Sequence, residues 1–418
     1  MRVIGIIAEF NPFHNGHEYL ISKARELVND DRAIVMCVIS GPFTQRGLPA
    51  LMPKHARATQ ALKCGADIVL ELPFTFACAP SERFAFGGIE LLMRTGVMTD
   101  LAFGIDCDDF SVIEKLSSVD FDSSKDYKNA LRDNLASGMS FPAARAQAIC
   151  SVSDIEDKDM LLKTLRMPNS ILALDYLRAV KRIGKKINIH PIKRIGEGYS
   201  SSELAAEFPS ATAIREFCLN NGSGTAALTA LNGKMPVKAL AKMLADLSEG
   251  RYRFPDMDLY ASLLFNSVPT LNADAAYMGD GLNGHISNTV EKIRSKDFSF
   301  EKLTRELNTK HFTDGRILRA LASNLTGQSE EFVQSCKHVP YIRVLGFNKE
   351  GRYCLKIMGK CARVPIIHNC SDFLEIRSSR PEEANTVFEL DRRAYNIQAL
   401  LMGSNPNSDF ENSPVQVK

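Results

Sequence analysis

His14 and His17, separated by Asn15 and Gly16, stand at the end of GIIAEFNPFHNGHEYL, where an apolar β-branched run ends in a turn and opens a helix. In a parallel sheet such a junction lies at the carboxyl edge, where a helix N-terminus and free backbone N–H groups receive phosphate. Gly16 permits close backbone approach, so a tight turn lets both imidazoles face one point. Two imidazoles converging there suit an α-phosphate whose charge builds up as pyrophosphate leaves. Taken alone, the spacing favours a capping turn with ordinary surface histidines, and zinc would need a third ligand that nothing nearby supplies.

A second segment, PSATAIRE at Pro209–Glu216, has matching chemistry. Ser210 and Thr212 can cap a helix while offering hydroxyls to phosphate, and Arg215 supplies a delocalised cation for pyrophosphate. Alone, S-x-T-x-x-R is only a capping pattern.

These residues need a scaffold that brings two distant turns to one edge. The first part of the chain alternates short β-branched runs (Val3–Ala8, Ala33–Ile39, Asp67–Leu72, Leu101–Ile105, Ile187–Pro191) with helical patterns at Glu18–Val28, Lys54–Cys64, Ser81–Arg94 and Asn169–Arg182. That order predicts an α/β fold, a Rossmann-like doubly wound parallel sheet. It spans residues 1–222, with a helical insertion at about 107–167. Residues 223–338 read as an all-α domain and 339–403 as a small α+β region. The latter is expected to contain a hairpin around Lys349-Glu350-Gly351 and a last helix, Pro381–Met402. The polar tail, 404–418, is expected to be disordered.

Composition bounds the rest. With 418 residues, 45% hydrophobic and 24% charged, the chain can bury two or three packed domains, and disorder, collagen and disulfide miniproteins are excluded. Lys+Arg number 51 against 49 Asp+Glu, a net of +2, so a polyanion partner would need a local basic patch. The ten cysteines include no CxxC pair and are expected to be small buried hydrophobes in a reducing compartment. MRVIGIIAEF reads as a strand rather than a signal peptide, and no segment reaches the ~18 apolar residues of a membrane span, so a cytoplasmic location is expected.

FNPFHNGH resembles the (H/T)xGH motif of the nucleotidyltransferase superfamily, whose enzymes cleave ATP between the α and β phosphates, and PSATAIRE fits that superfamily's second phosphate-binding element. Further segments extend the likeness along nearly the whole chain: SGPFTQRGLPALMPKHAR, DIVLELPFTFACAPSERFAFGG, LAFGID, RMPNSILALDYL, PIKRIGEGYSS and VPYIRVLGF. Together they resemble the tRNA(Met) cytidine acetate ligase family. The resemblance implies that acetate and ATP give acetyl-adenylate and pyrophosphate, and that the acetyl group passes to N4 of the wobble cytidine of elongator tRNA(Met). It places the ATP-binding stretch on Ile7, Ala8, Glu9, Phe10, Asn11, Pro12, Phe13, His14, Asn15, Gly16, His17, Glu18, Tyr19 and Leu20, with later contacts at Gly104, Asn169 and Arg194. His14, His17 and Arg215 are then the catalytic candidates, with Ser210 and Thr212 on the leaving pyrophosphate and Mg2+ on the ATP phosphates, no metal being held by the protein alone.

For acetate, Arg46 or Arg194 could supply a positive wall and Phe43 an apolar one. For tRNA, Lys181-Arg182, Lys185-Lys186 and Lys193-Arg194 group around the fifth strand. Arg251, Arg253, Lys310, His311, Arg316 and Arg319 add positive charge to the helical domain. The match is poor at Ser117–Asp126, and Ser200-Ser201-Ser202 departs from the family pattern after Gly198-Tyr199. The alternatives are an adenylyltransferase acting on nicotinate mononucleotide or phosphopantetheine, an acetate:protein-thiol ligase, and an ATP-sensing RNA-binding protein with a degenerate site. The oligomeric state is not legible.

Overall fold

The computed structural model describes residues 1–121, 123–195, 208–270, 273–279, 281–293, 298–375 and 382–417. Five parallel strands form its centre: β1 (Val3–Ala8), β2 (Ile34–Ser40), β3 (Ile68–Leu72), β4 (Asp100–Ile105) and β5 (Asn188–Lys193), in the order β5-β4-β1-β2-β3. The chain winds outward from β1 through β2 and β3, then returns to the other side for β4 and β5. This makes the fold the doubly wound α/β type expected, with its switch point between β1 and β4, where Ile4 pairs with both Val35 and Asp100.

Period-two alternation divides β1 between two cores. Val3 and Ile7 face helices α3 (Ser81–Arg94) and α4 (Pro168–Ile183), while Ile4 and Ile6 face α1 (Asn15–Val28), α2 (Lys54–Lys63) and α5 (Ala211–Asn221). Each fully buried Ile or Leu stabilises these layers by about 1.5–3 kcal/mol. Between β4 and α4 the chain forms helices Phe110–Ser117, Lys125–Ala136, Phe141–Val152 and Lys158–Arg166. Arg145 of this insertion pairs with the buried Asp175 of α4 at 2.6 Å. After α5, helix Val237–Ser248 packs its Ala239, Leu240 and Met243 into the same core as α2, and helices from Met257–Ser267 to Asp314–Thr326 build a third core, where Tyr260, Leu264, Ile317 and Leu321 close on Phe43 and Phe74.

Two expectations are corrected at the C-terminal end. VPYIRVLGFNKEGRYCLKIM is not a hairpin: β6 (Ile342–Phe347) joins the main sheet antiparallel to β3, and Lys349–Cys361 is a helix. Asn348 caps that helix by accepting from Gly351 N–H at 2.8 Å. A Cβ on Gly351 would stand 2.0 Å from the Asp67 carbonyl oxygen, so this glycine allows a helix to pack close to the sheet instead of making a turn. The tail is ordered as well. Val415–Gln416 pairs with β6 as β7 does at Ile366–Ile367, and Asp409 is buried on Lys54 and Arg343. Its polar composition serves an ion cluster rather than solvent.

Nine cysteines are buried, Cys361 is exposed, and none forms a disulfide. Among the described residues no helix is long and apolar enough to cross a membrane.

Candidate active site

The turn after β1 folds both histidines back onto the start of α1. His14 is the N-cap: its Nδ1 accepts from Gly16 N–H at 3.0 Å, and His17 Nδ1 accepts from the His14 N–H at 3.2 Å. Their ring centroids lie 3.9 Å apart. Both rings accept at Nδ1, so each neutral imidazole carries its proton on Nε2 and presents a donor there. Burial first, then the charges of Arg194 and Arg215, pushes His14 down to about 3. His17 is likewise held well below the usual imidazole range by burial, by His14 and by Arg194.

The glycine in this motif has a definite task, because a Cβ on Gly16 would lie 2.9 Å from His14 Cε1. Phe10 turns the chain at φ 46°, and its ring packs beneath His17 at 4.9 Å and against Phe13 at 4.8 Å.

The second motif arrives beside the first. Ser210 caps α5 by accepting from Ala213 N–H at 3.1 Å. Arg215 donates to the Asn11 carbonyl at 2.8 Å and to Thr212 Oγ1 at 2.9 Å, which joins two turns 204 residues apart. Asn11 in turn accepts from Leu51 N–H at 2.8 Å.

At the ends of β4 and β5 the organising group is Asp106. It accepts from Asn169 N–H at 3.2 Å and from Asn169 Nδ2 at 2.9 and 3.0 Å, and it lies 3.5 Å from Arg194 Nε. Asn169 is the second residue of α4, directly after Pro168, and not its cap. Gly104 leaves room for Arg194, whose Cγ would stand 3.1 Å from a Cβ there.

These groups surround a cleft of about 1270 Å³, open to solvent at its mouth. Ile7, Ala8, Glu9, Phe10, Asn11, His14, Gly16, His17, Tyr19, Leu20, Gly104, Asn169, Lys193, Arg194, Ser210, Thr212 and Arg215 all line it. Pro12, Phe13, Asn15 and Glu18 do not. Pro12 and Phe13 are buried beneath the turn, Glu18 is exposed, and Asn15 Nδ2 donates to the Gly233 carbonyl at 2.7 Å.

Sequence reasoning missed an apolar wall of Phe84, Phe103, Leu172 and Tyr176, which helical and strand periodicity could describe only as core. It also missed Gln45, whose N–H donates to Glu9 Oε1 at 2.7 Å. The Gln45 loop is held from the helical layer. Tyr260 donates to the Gly47 carbonyl at 2.6 Å, Arg319 to that of Gln45 at 3.3 Å, and a Cβ on Gly47, at φ +78°, would meet the Leu318 backbone at 2.5 Å. Arg57 was missed as well. Fully buried, it donates to the carbonyls of Glu9, Gly41 and Met52 and so ties together the ends of β1 and β2.

The guessed acetate wall is corrected. Phe43 is 1% exposed and packs on Phe74 and Tyr260 in the third core, so it cannot close an acetate pocket. Arg46 is exposed and lies outside the cleft lining. The basic run around β5 also divides. Lys193 and Arg194 end the strand at the cleft, whereas Lys185 and Lys186 precede it, about 20 Å away at the opposite sheet edge. Gly198-Tyr199 and Ser200-Ser201-Ser202 lie outside the described residues.

A doubly wound sheet with neutral histidine donors after β1 and an arginine on the facing helix defines a nucleotide-binding site of the nucleotidyltransferase type. The model of the HIGH nucleotidyl transferase family matches residues 1–413. Proteins named tRNA(Met) cytidine acetate ligase are similar over nearly their full length. The one from Clostridium kluyveri is 32% identical, covering 99% of each chain, and that from Thermoanaerobacter sp. (strain X514) is 33% identical, covering 96% of this chain and 95% of its own. Two crystal structures of Thermotoga maritima TmcAL, both 30% identical and covering 100% of each chain, superpose with TM-scores of 0.89 for the apo form and 0.87 for the form bound with alpha-thio ATP. The chain belongs to the HIGH nucleotidyl transferases and, within them, to the tRNA(Met) cytidine acetate ligase family.

Proposed function

We propose that the protein activates acetate with ATP as acetyl-adenylate and transfers the acetyl group to N4 of the wobble cytidine of elongator tRNA(Met). The observation that carries this reading is the Arg215–Asn11 bond, which joins the histidine turn to the α5 motif and gathers neutral donors and guanidinium groups on one face of the crevice. His14 and His17 donate from Nε2 to the α-phosphate as its charge grows, and Arg215, Ser210 and Thr212 hold the departing pyrophosphate. Arg194, steadied by Asp106, faces the nucleotide together with Gly104 and Asn169. Mg2+ accompanies the ATP phosphates as part of the substrate. For tRNA, Lys193 lies at the cleft mouth, Arg46 on the loop beside it, and Lys185 and Lys186 at the far edge. Such a substrate places the enzyme in the cytoplasm.

The test supplies purified protein with ATP, labelled acetate and, in parallel, tRNA(Met), nicotinate mononucleotide or an acyl-carrier protein. Label is expected on tRNA, only with ATP, and is lost in His17→Ala. Acetate-independent dinucleotide formation, or label on the carrier protein alone, would overturn the reading.

A further inference from the structure

We infer that Glu9 accepts the proton that cytidine N4 loses during acetyl transfer, a role that rests on the ligase reading above. The two sides of the cleft differ in chemistry. His14, His17, Ser210, Thr212 and Arg215 belong to α1 and α5, which pack on the Ile4–Ile6 face of β1. Phe84, Leu172 and Tyr176 belong to α3 and α4, on the Ile7 face. Glu9 follows Ile7 by two residues, just past the end of β1, and its charge reaches Tyr176 on that second side.

It is the one carboxylate among the described residues lining the cleft. Oε1 accepts from Gln45 N–H, so the side chain is aimed, and Oε2 accepts no hydrogen bond within the described chain.

A carboxylate repels both the ATP phosphates and free acetate, so electrostatics assigns Glu9 to neither. A cytosine amino group is the opposite case: a neutral donor on a flat ring, suited to the Phe84–Tyr176 wall and to an open carboxylate oxygen. The other candidate bases are occupied. His14 and His17 have their proton on Nε2 and can only donate into the cleft, and Asp106 is taken by Asn169 and Arg194.

In the transfer step the N4 lone pair forms the C–N bond to the acetyl carbonyl carbon. The bond from that carbon to the adenylate oxygen breaks and AMP leaves with its electron pair. The N4 proton, acidified as nitrogen becomes cationic, passes to Glu9 Oε2 and then to solvent. The titratable and charged groups facing Glu9 are Arg57 of α2, Cys78 and Tyr176 of α4.

The experiment is Glu9→Gln in the full-length enzyme, which keeps an oxygen for Gln45 N–H and removes the base. Acetate-dependent ATP–pyrophosphate exchange reports folding and adenylation in the variant, and single-turnover transfer from acetyl-adenylate to tRNA(Met) should fall by ~10²-fold or more beyond whatever change the exchange shows. The rise of the wild-type transfer rate with pH on its acid side should vanish in E9Q. An E9Q enzyme whose transfer falls no more than its exchange, or keeps the acid limb, overturns the role of Glu9. A wild type that forms acetyl-adenylate but leaves tRNA unmodified overturns the ligase reading itself, which is a separable result.

Discussion

Asp106 and Asn169 are joined by three hydrogen bonds, from the Asn169 backbone at 3.2 Å and from its amide at 2.9 and 3.0 Å, and the same carboxylate lies 3.5 Å from Arg194. One acid thus sets the orientation of two cleft-lining side chains without lining the cleft itself. Asp106→Ala should release both. The expected result is a KM for ATP raised about tenfold, the loss of ~1.4 kcal/mol of binding, with a smaller change in kcat. Steady-state pyrophosphate release against ATP concentration measures it.

His14 has two separable roles, capping α1 through Nδ1 and donating from Nε2. Asparagine caps helices well but lacks a donor at the Nε2 position. His14→Asn is therefore expected to change unfolding free energy by no more than about 0.5 kcal/mol while adenylate formation drops ~10²–10³-fold. An active H14N enzyme would show that the ring serves only as a cap.

The histidines also give a signed pH dependence. His14 titrates at about 3 in the folded protein against 6.5 when free, so between those values the unfolded chain binds a proton that the folded one excludes. Its contribution to stability is complete above about 6.5 and is lost as pH falls toward 3. Urea midpoints measured down this range should decline less steeply for H14N than for the wild type. The adenylation rate should not fall as pH rises from about 6.5 to 8, because the donors are neutral imidazoles throughout.

A buried ion cluster fastens the tail to the sheet. Lys54 Nζ lies 2.8 Å from both Glu71 and Asp409, and Arg343 lies 2.7 Å from Asp409, all four residues being at most 2% exposed. Asp409→Asn leaves two buried cations facing one carboxylate and should cost about 3–5 kcal/mol. Lys23→Met, which removes an exposed pair with Glu26, should change stability by less than about 1 kcal/mol. Denaturant unfolding of the two variants provides the comparison.

Charge reversal tests the RNA contacts. Lys193→Glu should weaken tRNA binding and lower the salt slope of log K by about one. Lys185→Glu with Lys186→Glu asks whether the RNA reaches the opposite sheet edge; a lowered affinity and a reduced slope are expected there too, and unchanged binding would confine the RNA to the cleft side. Filter binding across a salt series gives both numbers.

What the sequence determined by itself was local chemistry: the strand–turn–helix with His14, Gly16 and His17, the cap and cation of Ser210, Thr212 and Arg215, and the alternation that predicts a doubly wound sheet. These are short-range patterns, written in residue type and period. Tertiary structure decided what depends on distant partners. Only the fold shows that Asn11 holds Arg215, that Tyr260 and Arg319 fix the Gln45 loop on Glu9, and that Phe84 and Tyr176 face a cleft. VPYIRVLGFNKEGRYCLKIM shows the same limit, since Gly351, Cys354 and Met358 are a helix's buried face only because the Asp67 backbone lies against it. So does the tail, where a polar segment reads as solvent-loving until Lys54, 355 residues earlier, supplies the charge that buries Asp409. Periodicity reports which side of an element is buried, and only the packed chain shows what it is buried against.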